Sequence, residues 1–253
     1  MSVQMVTEVQ GAGDAILFVH GLGGTSNVFT PQVGVLSRYF ECIRPDLPAS
    51  GRTPSGGAFT LPDLADQLAE LLRERGVQSA HVVGHSLGTV VCQHMAANHP
   101  DLVRSLALIG PLNEPPEPAR AALKDRAAKA RSEGMAGIAD AIVQGGTSAD
   151  TKAHRPEVAA LVREILMRQD PEGYALTCEA LASVQAADAS KIRCPTLLIT
   201  GDEDGTAPPM RVRALAASIA GARMQILDRC GHWTTFERPA EVNSALVNFL
   251  IST

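Results

Sequence analysis

The chain has 253 residues, 45% of them hydrophobic, and a formal net charge of −5. Acidic and basic residues are interspersed, so neither a nucleic-acid patch nor a polybasic membrane surface is expected. No run nears the ~18 consecutive apolar residues of a spanning helix. With a mean hydropathy of +0.04 and a polar first ten residues, unlike a secretory signal, the expectation is a cytoplasmic globular protein.

The length fits one large α/β domain or two small ones. Residues 3–9 alternate loosely, as in an edge strand, and Gly11-Ala12-Gly13-Asp14 reads as a turn. Residues 15–19 form a short continuous apolar run, the pattern of a strand buried on both faces. It ends in His20-Gly21-Leu22-Gly23-Gly24, where glycines let the backbone approach a ligand. A further strand is expected over 40–45. After the Gly/Ser/Pro-rich stretch 51–58, Thr60 reads as an N-cap, with Pro62 in the first turn of a helix that stops at Gly76.

Residues 80–83 form another buried strand. Gly84-His85-Ser86-Leu87-Gly88 follows, and then helix formers as far as His99-Pro100. Strand, sharp turn and helix around Gly-x-Ser-x-Gly is the setting of a nucleophile elbow. It would lift the Ser86 hydroxyl above the sheet edge and aim the Leu87 N–H at an oxygen on the attacked carbon. A strand over 103–109 completes the first half.

From Pro111 the character changes. Four helices are expected, over 119–132, 135–143, 157–168 and 171–184, with no strand between them. We read 111–189 as a helical cap inserted into an α/β core of residues 1–110 and 190–253, with a mostly parallel sheet flanked by helices. Strands over 195–200 and 223–227, a helix over 210–220 and a last helix over 239–250 restore the alternation.

Three strand-end loops supply chemistry in the order Ser86, an aspartate after Gly201, and His232. Serine at its own pKa is a poor nucleophile, so a base must take its proton. Histidine titrates near neutrality and suits that task. An ionised carboxylate would hold its tautomer and stabilise the imidazolium. Asp202 and Asp204 both stand in the acid loop. The backbone N–H groups of Leu22 and Leu87 are the expected oxyanion donors. Met135, Ile138, Ile142, Leu166 and Met167 are candidate pocket liners. His20 and His85 are expected to pack or hydrogen-bond, and His81 and His154 to be exposed. The five cysteines, at scattered spacings with no Cys-x-x-Cys, read as reduced thiols. No histidine pair has metal-ligand spacing near carboxylates, so neither metal nor cofactor is expected.

His20-Gly21-Leu22-Gly23-Gly24, Pro45-Asp46-Leu47-Pro48, Gly84-His85-Ser86-Leu87-Gly88, Gly201-Asp202-Glu203-Asp204 with Pro208, and Gly231-His232 before Glu237-Arg238-Pro239 together resemble the α/β-hydrolase superfamily over nearly the whole chain. The resemblance implies the α/β-hydrolase fold. It favours Asp204 as the acid, three residues after Gly201 and four before Pro208. Pro31-Gln32, Asp170-Pro171-Glu172-Gly173-Tyr174 and Ala207-Pro208-Pro209 are similar to the 3-oxoadipate enol-lactonase and carboxylesterase branch. The expectation is a serine esterase or lactonase, monomeric or homodimeric, acting on a small-molecule ester. Alternatives are the enol-lactonase itself, a carbon–carbon bond hydrolase of a ring-cleavage product, and a non-catalytic ligand receptor.

Overall fold

The computed structural model describes residues 3–253. Seven strands form one sheet: β1 (Thr7–Gln10), β2 (Ala15–Val19), β3 (Glu41–Pro45), β4 (Ala80–His85), β5 (Val103–Ile109), β6 (Thr196–Gly201) and β7 (Arg223–Leu227). Their spatial order is β1-β3-β2-β4-β5-β6-β7. Only β1 runs antiparallel, on the edge against β3. Every residue of β2, β4 and β6 is buried. Since alternate side chains point to opposite faces, that pattern requires helices on both.

The helices outside the insertion follow from local signals. The segment α1 (Thr30–Leu36), not expected from its Pro- and Gly-containing sequence, packs on the C-terminal helix. In α2 (Leu61–Glu74), Thr60 and Asp63 form a reciprocal capping box, and Leu61, Leu64, Leu68 and Leu72 make the buried face. α3 (Leu87–Asn98) is buried almost throughout and packs against α2.

Five helices, not four, separate β5 from β6: α4 (Glu117–Glu133), α5 (Ala136–Gly146), α6 (Ala149–His154), α7 (Pro156–Met167) and α8 (Pro171–Ser183). The additional one, α6, has only six residues, too few for an apolar periodicity; its N-cap Ser148 accepts from the Thr151 N–H. α9 (Pro209–Ser218), α10 (Thr234–Glu237) and α11 (Pro239–Leu250) complete the chain. His81 is buried, not exposed. It lies in a fully buried strand, where its Nδ1 meets the Ser105 hydroxyl at 2.7 Å. His154 is exposed.

The register determines what meets at the sheet's C-terminal edge. Val19 pairs with Gly84, His85 with Ile109, Ile109 with Ile199, and Gly201 with Leu227. The loops that follow these strands therefore emerge side by side.

Candidate active site

Between β4 and α3 the chain reverses at Ser86, with φ 53° and ψ −123°. An L-residue avoids this region at a cost of ~1–3 kcal/mol. Both sides of the residue are pinned. Its N–H donates to the Ile109 carbonyl at 2.9 Å. Its own carbonyl accepts from the Thr89 N–H at 2.8 Å and the Thr89 hydroxyl at 2.6 Å. The flanking glycines are a matter of room. A Cβ on Gly88 would lie 2.1 Å from the Val19 carbonyl oxygen, and one on Gly84 2.8 Å from Cys92 Sγ.

Ser86 Oγ lies 2.8 Å from His232 Nε2, and His232 Nδ1 lies 2.8 Å from Asp204 Oδ2. All three side chains are buried. The second Asp204 oxygen accepts from the Thr206 and Ala207 N–H groups at 2.9 and 2.7 Å. Burial works against charging the His232 ring, but the Asp204 charge and hydrogen bond, with Glu237 behind them, outweigh it and raise its pKa. Burial opposes the Asp204 charge too, yet the imidazole and the backbone donors hold its pKa below the ordinary value. The carboxylate therefore accepts from Nδ1–H and leaves Nε2 as an acceptor for the serine proton. Such an arrangement can deprotonate an attacking alcohol and return the proton to a leaving group.

Asp202 takes another place: its Oδ1 accepts from the Cys230 N–H at 3.0 Å, two residues before His232. Gly110 passes under the ring at φ 55°, and a Cβ there would lie 3.0 Å from His232 Cε1. Only glycine combines that backbone with that space.

The loop after β2 crosses Ser86 so closely that a Cβ on Gly21 would stand 2.7 Å from the serine Cβ. His20 fixes this loop. Its Nε2 accepts from the Leu47 N–H at 2.9 Å, so Nδ1 carries the proton given to the Gly21 carbonyl. Neither the Leu22 nor the Leu87 N–H has a hydrogen-bond partner among the described residues. Leu87 begins α3, where the first N–H groups have no partner within the helix.

A cavity of about 510 Å³ opens above Ser86 and His232. Leu22, Leu112, Leu123, Ile142, Leu181 and Leu215 give it apolar walls. Of the five liners expected from the sequence, only Ile142 reaches it. Met135, Ile138 and Leu166 are buried in the core and Met167 packs against that core. Leu166 instead sits behind the loop after β2: a Cβ on Gly23 would meet its Cδ2 at 2.4 Å. Helical periodicity distinguishes a buried face from an exposed one, but not a core from a cavity. Arg126 and Arg211 also line the cavity, and neither forms an ion pair among the described residues.

The alpha/beta hydrolase fold family matches residues 14–239. The chain belongs to this family. An esterase structure from Thermogutta terrifontis, described as malate bound, is 27% identical, with a TM-score of 0.94 over 99% of this chain and 94% of its own. The enol-lactonase structure from Burkholderia xenovorans is 30% identical, with a TM-score of 0.90 over 98% of this chain and 97% of its own. A pimeloyl-[acyl-carrier protein] methyl ester esterase of Chromobacterium violaceum is 30% identical over 241 residues, 91% of each chain.

In this α/β hydrolase the task of Asp46 escapes sequence reasoning, while His85 hydrogen-bonds as expected. Asp46 is almost fully buried; it accepts from the Ser26 N–H at 2.7 Å and from Arg52 Nε at 2.8 Å, anchoring the chain just past Gly24. The motif around Pro45 marked the place but not the task. His85 donates from Nε2 to the His232 carbonyl at 2.9 Å. Burial, with His232 beside it, lowers its pKa to about 3, so the ring is neutral and its Nδ1 unprotonated. That Nδ1 and the Trp233 Nε1 have no partner among the described residues.

Proposed function

We propose that this α/β hydrolase cleaves a carboxylic ester or lactone through an acyl-enzyme on Ser86. Ser86 Oγ attacks the carbonyl carbon as its proton passes to His232 Nε2, and the Leu22 and Leu87 N–H groups receive the oxyanion. One such donor is typically worth ~2.7–4 kcal/mol of barrier. The acyl carbon–oxygen bond then breaks and the leaving oxygen takes the proton from Nε2. Water repeats the attack with the same base, which frees the acid and restores the serine. Asp204 holds the ring throughout.

The observation that carries this reading is the unbroken contact from Ser86 Oγ through His232 to Asp204, at 2.8 Å and 2.8 Å, on the floor of a mostly apolar cavity. Esterase and enol-lactonase relatives support it. Arg126, half-buried and without an ion pair, favours a narrower version in which the ester or lactone also bears a carboxylate. The bound malate of the Thermogutta esterase points the same way.

The test is a panel of aryl esters of graded acyl length and of lactones, in neutral and carboxylate-bearing pairs, run on wild type and Ser86→Ala. Expected are turnover by the wild type, best with short or medium acyl chains, and a loss of about 10⁴-fold or more in the variant. Equal rates in both proteins refute the assignment. Tight binding with negligible turnover by the wild type would favour a receptor.

A further inference from the structure

Glu237 is fully buried, and no cation stands within ion-pair distance of it among the described residues. An ionised carboxylate is costly to bury unless donors satisfy it. Here four do. Oε1 accepts from the Trp233 N–H at 3.1 Å. Oε2 accepts from the Gly231 N–H at 3.1 Å, the Ser148 N–H at 2.8 Å and the Thr151 hydroxyl at 2.8 Å. Two of these donors are the immediate neighbours of His232. The other two belong to the turn between α5 and α6 and to α6 itself.

The same turn reaches the active-site loops twice more. Its Gly146 carbonyl accepts the His232 N–H at 2.8 Å, and its Ala149 N–H donates to Glu203 Oε2 at 2.8 Å. Glu203 immediately precedes Asp204. A single turn of the inserted helices thus grips both the loop that carries the acid and the loop that carries the base. The contact has no slack, since a Cβ on Gly231 would lie 2.7 Å from the Gly146 carbonyl oxygen and 2.8 Å from Ser148 N.

We propose that Glu237 is a positioning residue that makes the alignment of His232 conditional on the docking of the inserted helices. With the turn docked, the carboxylate holds both neighbours of His232 and the ring points from Asp204 to Ser86. If the turn lifts, Glu237 loses two donors, His232 loses the Gly146 carbonyl, and the ring is freed. This rests on the acyl-enzyme reading above and deepens it: the helices that wall the cavity also switch on the base.

The test uses Thr151→Val, which removes one donor from the inserted side and leaves the charge, beside Glu237→Gln, which removes the charge and turns an amide toward N–H donors. Both are assayed on the best ester of the panel, with Ser86→Ala as the blank. Misplacing a reacting group by ~1 Å can cost ~100-fold in rate. Thr151→Val should lower kcat ~10-fold, and Glu237→Gln up to ~100-fold, with KM little changed in both.

The pH profile separates a purely structural brace from this role. The charged and titratable groups around His232 are Asp204, Glu237 and the neutral His85, with Arg126 and Arg211 on the wall of the shared cavity and unchanged in both variants. Arg155 reaches the Glu237 backbone carbonyl, at 3.1 Å, and not its carboxylate, and is otherwise bonded to the Phe236 carbonyl and paired with Glu157; Arg238 is engaged by Asp150. Glu237 helps keep the His232 pKa up. Its neutralisation should therefore move the acid limb of kcat/KM to lower pH in Glu237→Gln but not in Thr151→Val.

Wild-type kcat in Thr151→Val, or a fall in kcat of Glu237→Gln without the shift of the limb, overturns the proposal. If Glu237→Gln does not fold, kcat of folded Thr151→Val decides alone. Absence of Ser86-dependent turnover in the wild type would instead remove the acyl-enzyme reading.

Discussion

The C-terminal edge of the sheet and the inserted helices meet across one cavity, but different forces build them. At the sheet edge the triad and the loop beside it are pinned by hydrogen bonds. Ser86 is held by three backbone and side-chain bonds, Asp204 by two backbone donors besides His232, and the His20 ring by both its nitrogens. Among the inserted helices, α4 and α5 are looser: α5 buries only Ile138 and Ala139. α4 buries only Leu123, Ala127 and Ala130 along its 17 residues. Its Arg131 pairs at the surface with Glu172 and Glu179 of α8, and exposed pairs of this kind contribute little. The contrast teaches a division of labour. On the proposed reading the edge, with the one turn between α5 and α6 that braces it, carries chemistry common to any ester, and the helices that wall the cavity carry the choice among esters. Changes at the edge or at that turn should suppress all substrates alike, whereas changes in the cavity walls should re-rank them.

After Ser86 itself, the largest effect is expected at Asp204. In Asp204→Asn the ring loses its anionic partner and its preferred tautomer, and kcat should fall on the order of 10³–10⁴-fold for every ester. The wild-type acid limb of kcat/KM should lie above the ordinary histidine range, because the folded His232 pKa is raised by Asp204 and the protonated ring cannot act as base. Asp204 is a main source of that rise, so residual activity in the variant should extend to lower pH. Rates across pH 4–9 check both points. A loss confined to some substrates would break the division.

Next comes Gly88. A methyl there would press to 2.1 Å from the Val19 carbonyl and 2.6 Å from the His20 carbonyl, both backbone atoms of the sheet edge. Gly88→Ala should destabilise the fold by at least about 3 kcal/mol, measured by urea unfolding. A variant of wild-type stability would show that the elbow is less constrained than its contacts imply.

This edge was also the part most legible in the sequence. Ser86, His232 and Asp204 stand in loops that must emerge together once the strands are parallel, and the buried apolar runs at 15–19 and 103–109 coincide with β2 and β5. Where legibility failed, the cause was physical. The cavity walls are made by apolar residues indistinguishable in sequence from core, which is why Met135, Ile138, Leu166 and Met167 were expected where Leu112, Leu123 and Leu181 stand. Glu237 and Asp46 each have local partners, but they also reach groups distant in sequence, Ser148 and Thr151 for the one and Ser26 for the other, and no local pattern encodes those. α6 is a single capped turn of helix and its neighbours, too short for a period to register.

In the helices, Arg126 should affect selection and not chemistry. Arg126→Ala is expected to raise KM for a carboxylate-bearing ester ~10-fold, the discrimination of a single lost charge contact worth about 1.4 kcal/mol, and to leave kcat and the neutral counterpart nearly unchanged. Rising salt should erode the wild-type preference, since the guanidinium is partly exposed and screened. An equal loss on both esters would place Arg126 in the scaffold instead.

The smallest effect offers the sharpest contrast with Gly88. Gly137 lies on the exposed side of α5, and a Cβ added there meets nothing within 4 Å. Its backbone is helical, so alanine adds no strain and removes freedom from the unfolded chain. Gly137→Ala should stabilise the protein by about 0.5 kcal/mol, a rise in Tm of ~1–2 °C for a chain of this length, with kcat unchanged. One methyl group thus tests both regions. At the edge it has no room because the backbone carbonyls of β2 and its loop already occupy the space, and in the helices it is welcome because packing there left the space open. A Gly137→Ala protein that gained stability but lost kcat would show that the looseness of α5 is itself used in turnover, and the helices would then share the chemistry beyond the turn that braces His232.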